Sequence, residues 1–215
     1  MTVVDLKRAY SRGEIAADAA VHALGVGFAL IGGPILIGLV AARGDAWPIV
    51  AMSIYVATLI AMLSFSATYN LITFPAAKEW LRRLDHSTIY LKIAGAYTPF
   101  AMISIGGFVG NMLLGVVWGA AALGVVLKLL FPRRFELFGL LLYLAMGWVA
   151  VIVYGDVADS LKGPTLQLVT VAGGLYTLGV VFFMWERLPF QNAIWHVFVL
   201  AATVTLYSAM AVEFV

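Results

Sequence analysis

The sequence predicts an all-α integral membrane protein, folded as a bundle of seven transmembrane helices. Of its 215 residues, 63% are hydrophobic and only 11% are charged, and the mean hydropathy is +1.01. A soluble domain carries roughly a quarter charged residues, so this chain could not cover a surface that faces water. The apolar runs are long and continuous rather than alternating, which favours helices over strands.

Seven segments are long enough to cross a membrane, because about 20 apolar residues span roughly 30 Å of hydrocarbon. In order they cover residues 18–42, 46–74, 86–105, 109–131, 135–155, 164–185 and 192–214. The connectors between them are short, so we expect a single membrane domain over residues 1–215. The N-terminus lacks the apolar core and cleavage site of a signal peptide, so the first segment is expected to remain as a span.

Local signals mark the middle of the chain. The second segment ends in the polar run S-A-T-Y-N, and a basic connector, residues 75–85, separates it from the third segment. The third segment is expected to break at Pro99.

The fourth segment contains Gly115 and Gly119 in a GxxxG pattern. Small residues allow helices to approach closely in lipid, and we expect these two glycines to serve packing within the chain rather than dimerisation.

Composition also excludes some functions. The net charge of +2 is too small to indicate nucleic-acid binding. The chain has no cysteine, which excludes disulfides and any metal site built on thiolates.

The basic residues predict the orientation of the bundle. One side carries ten of the thirteen: Lys7, Arg8, Arg12, Lys78, Arg82, Arg83, Lys128, Arg133, Arg134 and Arg187. The other side has only Arg43 and Lys162, while Lys92 lies within the third segment. Basic residues favour the cytoplasmic side. We therefore expect a cytoplasmic N-terminus and an external C-terminus.

This orientation places all three histidines at the cytoplasmic end of the bundle. His22 and His196 lie about four residues into the first and seventh segments, which is roughly 6 Å inside the boundary at 1.5 Å per residue. His86 opens the third segment, beside Asp85. At similar depth the second segment carries Asn70, with Ser66 one turn deeper on the same face. The sequence thus predicts one polar layer, contributed by four helices.

Two interpretations of this layer remain open. Imidazole and carboxylate groups suit zinc, and an open coordination position with bound water supports hydrolysis. The same groups also form hydrogen-bonded networks that hold helices together. No HxxxH or HExxH pair lies on a single helix to favour the metal.

Four blocks of the sequence carry a resemblance to a known family. They are G-E-I-A-A-D-A-A-V-H-A-L-G at 13–25, S-A-T-Y-N at 66–70, R-R-L-D-H-S-T-I-Y-L-K-I-A-G-A-Y-T-P-F at 82–100, and R-L-P-F-Q-N-A-I-W-H-V-F-V-L at 187–200. In these blocks, of which the third is the most specific, the chain resembles the haemolysin III family, the bacterial branch of the progestin and adipoQ receptor superfamily. The resemblance implies seven helices in the cytoplasmic membrane of a bacterium, a cytoplasmic N-terminus, a zinc site near the cytoplasmic face and a lipid-amide or lipid-ester hydrolase activity.

The resemblance also implies roles for individual residues. Ser66 and Asp85 match the motif positions that act on water or substrate, and His196 matches a zinc ligand. Three family histidines are replaced, by Asn70, Asn192 and Leu206. An amide oxygen is a poorer zinc ligand than imidazole. Either a metal site is rebuilt from His22, His86, His196, Asp85 and Asn70, or it is weakened or lost.

The leading hypothesis is therefore a haemolysin III-like membrane protein with a zinc site near the cytoplasmic face, acting either as a lipid amide or ester hydrolase or as a regulator of membrane lipid homeostasis. In the hydrolase, Ser66 and Asp85 would be the catalytic residues. The alternative is a non-catalytic membrane sensor or interaction protein with a degenerate metal site.

Overall fold

The fold is a bundle of seven helical rods, seen in a computed structural model that describes residues 10–72, 74–131 and 133–215. The helices are α1 (Arg12–Ala41), α2 (Ala46–Leu71), α3 (Pro75–Pro99), α4 (Gly107–Leu130), α5 (Glu136–Trp148), α6 (Tyr154–Ser160), α7 (Gly163–Met184) and α8 (Gln191–Phe214). A π-helix, Phe100–Ile105, continues α3, and a 3₁₀ turn, Val149–Val153, joins α5 to α6 in one rod. These described residues contain no strand, as predicted.

Six rods are long and apolar enough to cross a membrane, and α3 is the exception. By length and composition, the structure therefore confirms six of the seven predicted apolar spans, and the third is not among them. The first half of α3 carries five charged side chains, Lys78, Glu79, Arg82, Arg83 and Asp85. Beyond them α3 lies between α2 and α4, and most of its side chains are buried. A helix shielded from lipid by its neighbours need not be apolar.

Helix α3 begins at Pro75 rather than at His86, so the predicted basic connector is helical instead. Proline suits the first turn of a helix, where its missing N–H is not needed. The charged side chains in the first half of α3 pair with one another and with the start of α5. Arg83 Nε lies 3.8 Å from Glu79, and Arg82 donates to Glu136 at 2.5 Å.

Helix α1 also begins earlier than predicted, at Arg12. Ser11 forms a capping box with Glu14, in which Glu14 N donates to Ser11 Oγ at 3.2 Å and Ser11 N donates to Glu14 Oε2 at 2.8 Å. The other oxygen, Glu14 Oε1, accepts from Phe190 N at 2.8 Å, just before α8. Asp18 therefore lies inside a helix rather than at its start. Lys7 and Arg8, which contributed to the charge count, lie outside the described residues.

Glycines allow close contact between consecutive helices. A Cβ at Gly95 of α3 would lie 2.1 Å from Thr58 Oγ1 of α2, and one at Gly124 of α4 would lie 2.5 Å from the Tyr90 ring of α3. Neither contact leaves room for a side chain, so these glycines set the spacing of α2, α3 and α4.

The GxxxG pair does not have this role. A Cβ at Gly115 or at Gly119 would meet no atom within 4 Å, because both glycines lie on the exposed face of α4. The prediction that they pack within the chain is wrong.

Candidate metal centre

Three side chains that can ligate a metal meet at one end of the bundle. Asp18 and His22 are four residues apart on α1, so they share a face of the helix, and His196 approaches from α8. One ligand atom from each residue lies within 4.8 Å of the others. Among the residues that the structure describes, they are the one such group of histidine and acidic side chains.

The Asp18 carboxylate lies between the two imidazole rings. His196 Nδ1 is 2.6 Å from Asp18 Oδ1, and His22 Nε2 is 3.5 Å from Asp18 Oδ2. The ring centroids of the two histidines are 4.3 Å apart. The structure thus brings His22 and His196 together, as the predicted polar layer requires. All three residues are at most 9% exposed.

The donor set fits a divalent transition metal. Two imidazoles and one carboxylate are the protein ligands of many catalytic zinc sites, where water takes the fourth position, and iron(II) sites use the same set. His22 Nε2 is buried, and its 3.5 Å distance from Asp18 Oδ2 is too long for a well-formed hydrogen bond, so it has no hydrogen-bond partner among the described residues. A buried polar atom without a partner is costly, and coordination would satisfy it.

Two asparagines lie next to the carboxylate. Asn192 Nδ2 donates to Asp18 Oδ2 and to Asn70 Oδ1, each at 3.1 Å, and Asn70 Nδ2 donates to the Ser66 carbonyl at 2.9 Å. The resemblance places histidines at both asparagine positions. Here Asn192 orients the Asp18 carboxylate, and Asn70 accepts a hydrogen bond from the Asn192 amide.

Ser66 and Asp85 lie beside this group but are not part of it. Asp85 is buried on α3, and Ser66 is half-buried on α2. Both residues line the same cavity as His22 and His196. They are therefore placed to contact a molecule bound at the centre.

The remaining predicted positions lie further away. His86 lines the cavity, and its ring meets the Tyr69 ring edge-on with centroids 6.4 Å apart. Leu206 is buried in the apolar core, ten residues beyond His196 on α8 and thus about 15 Å further along the helix. A histidine at position 206 of this fold would not reach Asp18.

A large cavity adjoins the centre. Its volume is about 1380 Å³, above the roughly 300–1,000 Å³ of most ligand pockets. Side chains of α3, α5, α7 and α8 form most of its wall, and it extends from Asp18 to Val157 and Leu161 near the opposite end of the bundle. Most of these side chains are apolar. The cavity is therefore both large and mostly apolar.

The sequence analysis does not predict Asp18 as a site residue, because Asp18 lies at the predicted start of the first segment. The signal was present: D-x-x-x-H places a carboxylate and an imidazole on one face of a helix.

The fold and the site define a multi-pass membrane protein with a carboxylate–imidazole group buried at one end of a helical bundle. A family model described as Haemolysin-III related matches residues 16–207. The chain therefore belongs to the haemolysin III family, as the resemblance predicts.

Relatives match over nearly the whole chain. The chain is 37% identical over 191 residues to the Hemolysin-3 homolog of Bacillus subtilis, which covers 89% of the chain and 90% of that protein. It is 37% identical to Hemolysin-3 of Bacillus cereus over 194 residues, 89% of the chain and 87% of that protein. The Monocyte to macrophage differentiation factor of Homo sapiens is 29% identical over 205 residues, 92% of the chain and 83% of that protein. No solved structure matches the chain.

Proposed function

We propose that the chain binds a divalent metal, most favourably zinc, and hydrolyses an amide or ester bond of a membrane lipid. One observation carries this proposal: Asp18, His22 and His196 converge on the wall of a cavity large enough for an acyl chain. The metal, when bound, would supply Lewis acidity and a water molecule acidified for attack.

The side chains around the centre have complementary roles in this proposal. Asp18 and the two histidines hold the metal, and Asn192 holds the Asp18 carboxylate in place. Asp85 accepts a proton from the attacking water, and the Ser66 hydroxyl donates to the developing oxyanion, since both side chains line the cavity beside the centre. The apolar wall binds the acyl chain and excludes bulk water.

The proposed substrate enters from the cytoplasmic leaflet. The centre lies at the end of the bundle that holds the starts of α1, α3, α5 and α8, where the basic residues cluster. Basic residues favour the cytoplasmic side. We propose that this end faces the cytoplasm and that the partner is membrane lipid.

The test is metal analysis of protein purified without chelator or histidine tag, followed by hydrolysis of long-chain amides and esters in vesicles. We expect about one metal ion per chain, as one three-ligand centre implies, and hydrolysis that chelation removes. Asp18→Asn should lose both, whereas Asp156→Asn, at an exposed position of α6, should lose neither. Metal-free wild-type protein with undiminished hydrolysis would overturn the proposal.

A second candidate function is a non-catalytic membrane sensor, favoured by the hydrogen bond between Asn192 and Asn70. These amides complete a network around Asp18 without a metal. In this case the purified chain binds no metal and hydrolyses no lipid, and Asp18→Asn destabilises the bundle instead.

A further inference from the structure

Lys92 is a buried cation that the proposed hydrolysis does not use. It lies within α3 and is 3% exposed. A charged side chain at such depth in a membrane protein is costly, and it generally faces a partner, a cavity or a ligand. The position therefore requires an explanation from its surroundings.

The neighbours of Lys92 compensate it only in part. Its Nζ donates to the Tyr176 hydroxyl and lies 4.1 Å from the centroid of the Tyr176 ring. Tyr176 Oη and Thr203 Oγ1 share a hydrogen bond of 2.9 Å. An ammonium group has three donors, and in the described part of the chain no carboxylate pairs with this one.

A second lysine of the same chain shows the contrast. Lys128 on α4 is also 3% exposed, and its Nζ donates to Glu136 Oε2 at 2.8 Å. The fold thus supplies a carboxylate to one fully buried lysine and only a phenol to the other. The missing negative charge at Lys92 is consistent with a charge brought by a ligand.

Lys92 and Tyr176 both line the cavity. Apolar side chains surround the two on the cavity wall, among them Ile89, Ile93 and Val199. This combination of one cation, one phenol and an apolar wall matches an amphiphile with a single negative charge.

The position of Lys92 separates it from the metal centre. Lys92 follows Asp85 by two helical turns on α3, and Thr203 follows His196 by two turns on α8, about 10 Å in each case. The two sites therefore share the cavity at different depths, and an anion at Lys92 does not compete for the metal ligands.

We propose that Lys92 and Tyr176 bind the oxyanion of a singly charged long-chain lipid inside the cavity, with Thr203 positioning the Tyr176 hydroxyl. The carboxylate of a fatty acid and the phosphodiester of an anionic phospholipid share this chemistry. The site is independent of the proposed hydrolysis, because none of its groups belongs to the metal centre.

The test measures binding of oleate and of oleyl alcohol to the full chain in nanodiscs of phosphatidylcholine. Wild-type protein should prefer the acid to the alcohol. Lys92→Met should weaken oleate binding roughly tenfold or more, as expected for the loss of a charge-assisted hydrogen bond, and leave binding of the alcohol unchanged. Lys92→Arg should retain the preference, and Tyr176→Phe should reduce it while keeping the ring.

Three outcomes decide the inference. Unchanged oleate binding by Lys92→Met overturns it, and so does an equal loss of acid and alcohol in Tyr176→Phe, which keeps the packing of the ring. Displacement of oleate by phosphatidylglycerol, in wild-type protein and not in Lys92→Met, supports it and identifies the phospholipid as the source of the anion. Asp18→Asn should retain oleate binding, which separates this result from any failure of the hydrolysis proposal.

Discussion

The side-chain amide of Asn192 donates to the side-chain carbonyl of Asn70 at 3.1 Å, and this bond joins α8 to α2 beside the candidate metal centre. The same Asn192 nitrogen is 3.1 Å from Asp18 Oδ2. Both asparagines occupy positions where the family resemblance places histidines. The contact therefore shows how the chain fills the space that further ligands would occupy.

Asn70→His is expected to strengthen zinc binding, because imidazole suits zinc better than a neutral amide does. The new ring would replace the partner of Asn192 and extend towards Asp18. We expect a gain of about tenfold or more, measured by zinc titration of the purified proteins. Equal, tight binding by both proteins would show that the centre is complete without position 70.

Leu206→His is the matched control for that change. Its position also corresponds to a family histidine, but it lies about 15 Å along α8 from His196. Zinc affinity should stay at the wild-type value. A gain equal to that of Asn70→His would contradict the placement of the centre around Asp18.

Zinc should stabilise the wild-type bundle against thermal unfolding. A ligand that binds only the folded state adds about 2.7 kcal/mol at a concentration 100 times its dissociation constant. The midpoint of unfolding should rise with zinc and return on chelation. Asp18→Asn should abolish this response, because the variant loses the carboxylate between His22 and His196. A response of wild-type size in the variant would place the metal elsewhere.

Gly95→Ala should destabilise the bundle by about 1–3 kcal/mol, the usual cost of inserting a methyl group into a packed core. Its Cβ would lie 2.1 Å from Thr58 Oγ1. Gly115→Ala, on the neighbouring helix α4, is the control. A Cβ at position 115 would meet no atom within 4 Å, so this substitution should leave the stability of the bundle unchanged or increase it. Unfolding in denaturing detergent compares the two, and equal effects would refute the packing described for α2 and α3.

Reporter fusions test whether α3 crosses the membrane. Seven crossings place the termini on opposite sides, whereas six place them on the same side. We expect a fusion after Val215 to be active only outside the cytoplasm, because α3 is packed between α2 and α4. If that fusion is active in the cytoplasm instead, the chain crosses the membrane only six times.

The helical bundle could be predicted from hydropathy because most of its helices face lipid directly. The start of α3 could not, because its charges are satisfied by partners far away in the sequence. Arg82 pairs with Glu136 of α5, and Arg83 donates to the Leu129 carbonyl of α4 at 3.0 Å. These contacts stabilise a charged stretch as a helix. They join residues about 50 positions apart, so a local sequence pattern does not show them.

The site was predictable in location and only partly in composition. Depth along the helices was enough to bring His22 and His196 together, since it depends only on residue counts. Depth alone does not give the direction of each side chain around its helix, so it predicts His86 beside the two histidines and does not predict Asp18. The spacing of four residues between Asp18 and His22 does place both on one face of α1.

Glu14 links the two halves of the centre through the backbone. One carboxylate oxygen completes the cap of α1 four residues before Asp18, and the other accepts from Phe190 N at the start of α8, before His196. Sliding or rotation of either helix would break one of these bonds. Glu14 therefore ties the start of the helix that carries Asp18 to the start of the helix that carries His196, and this link supports the 2.6 Å contact between the two side chains.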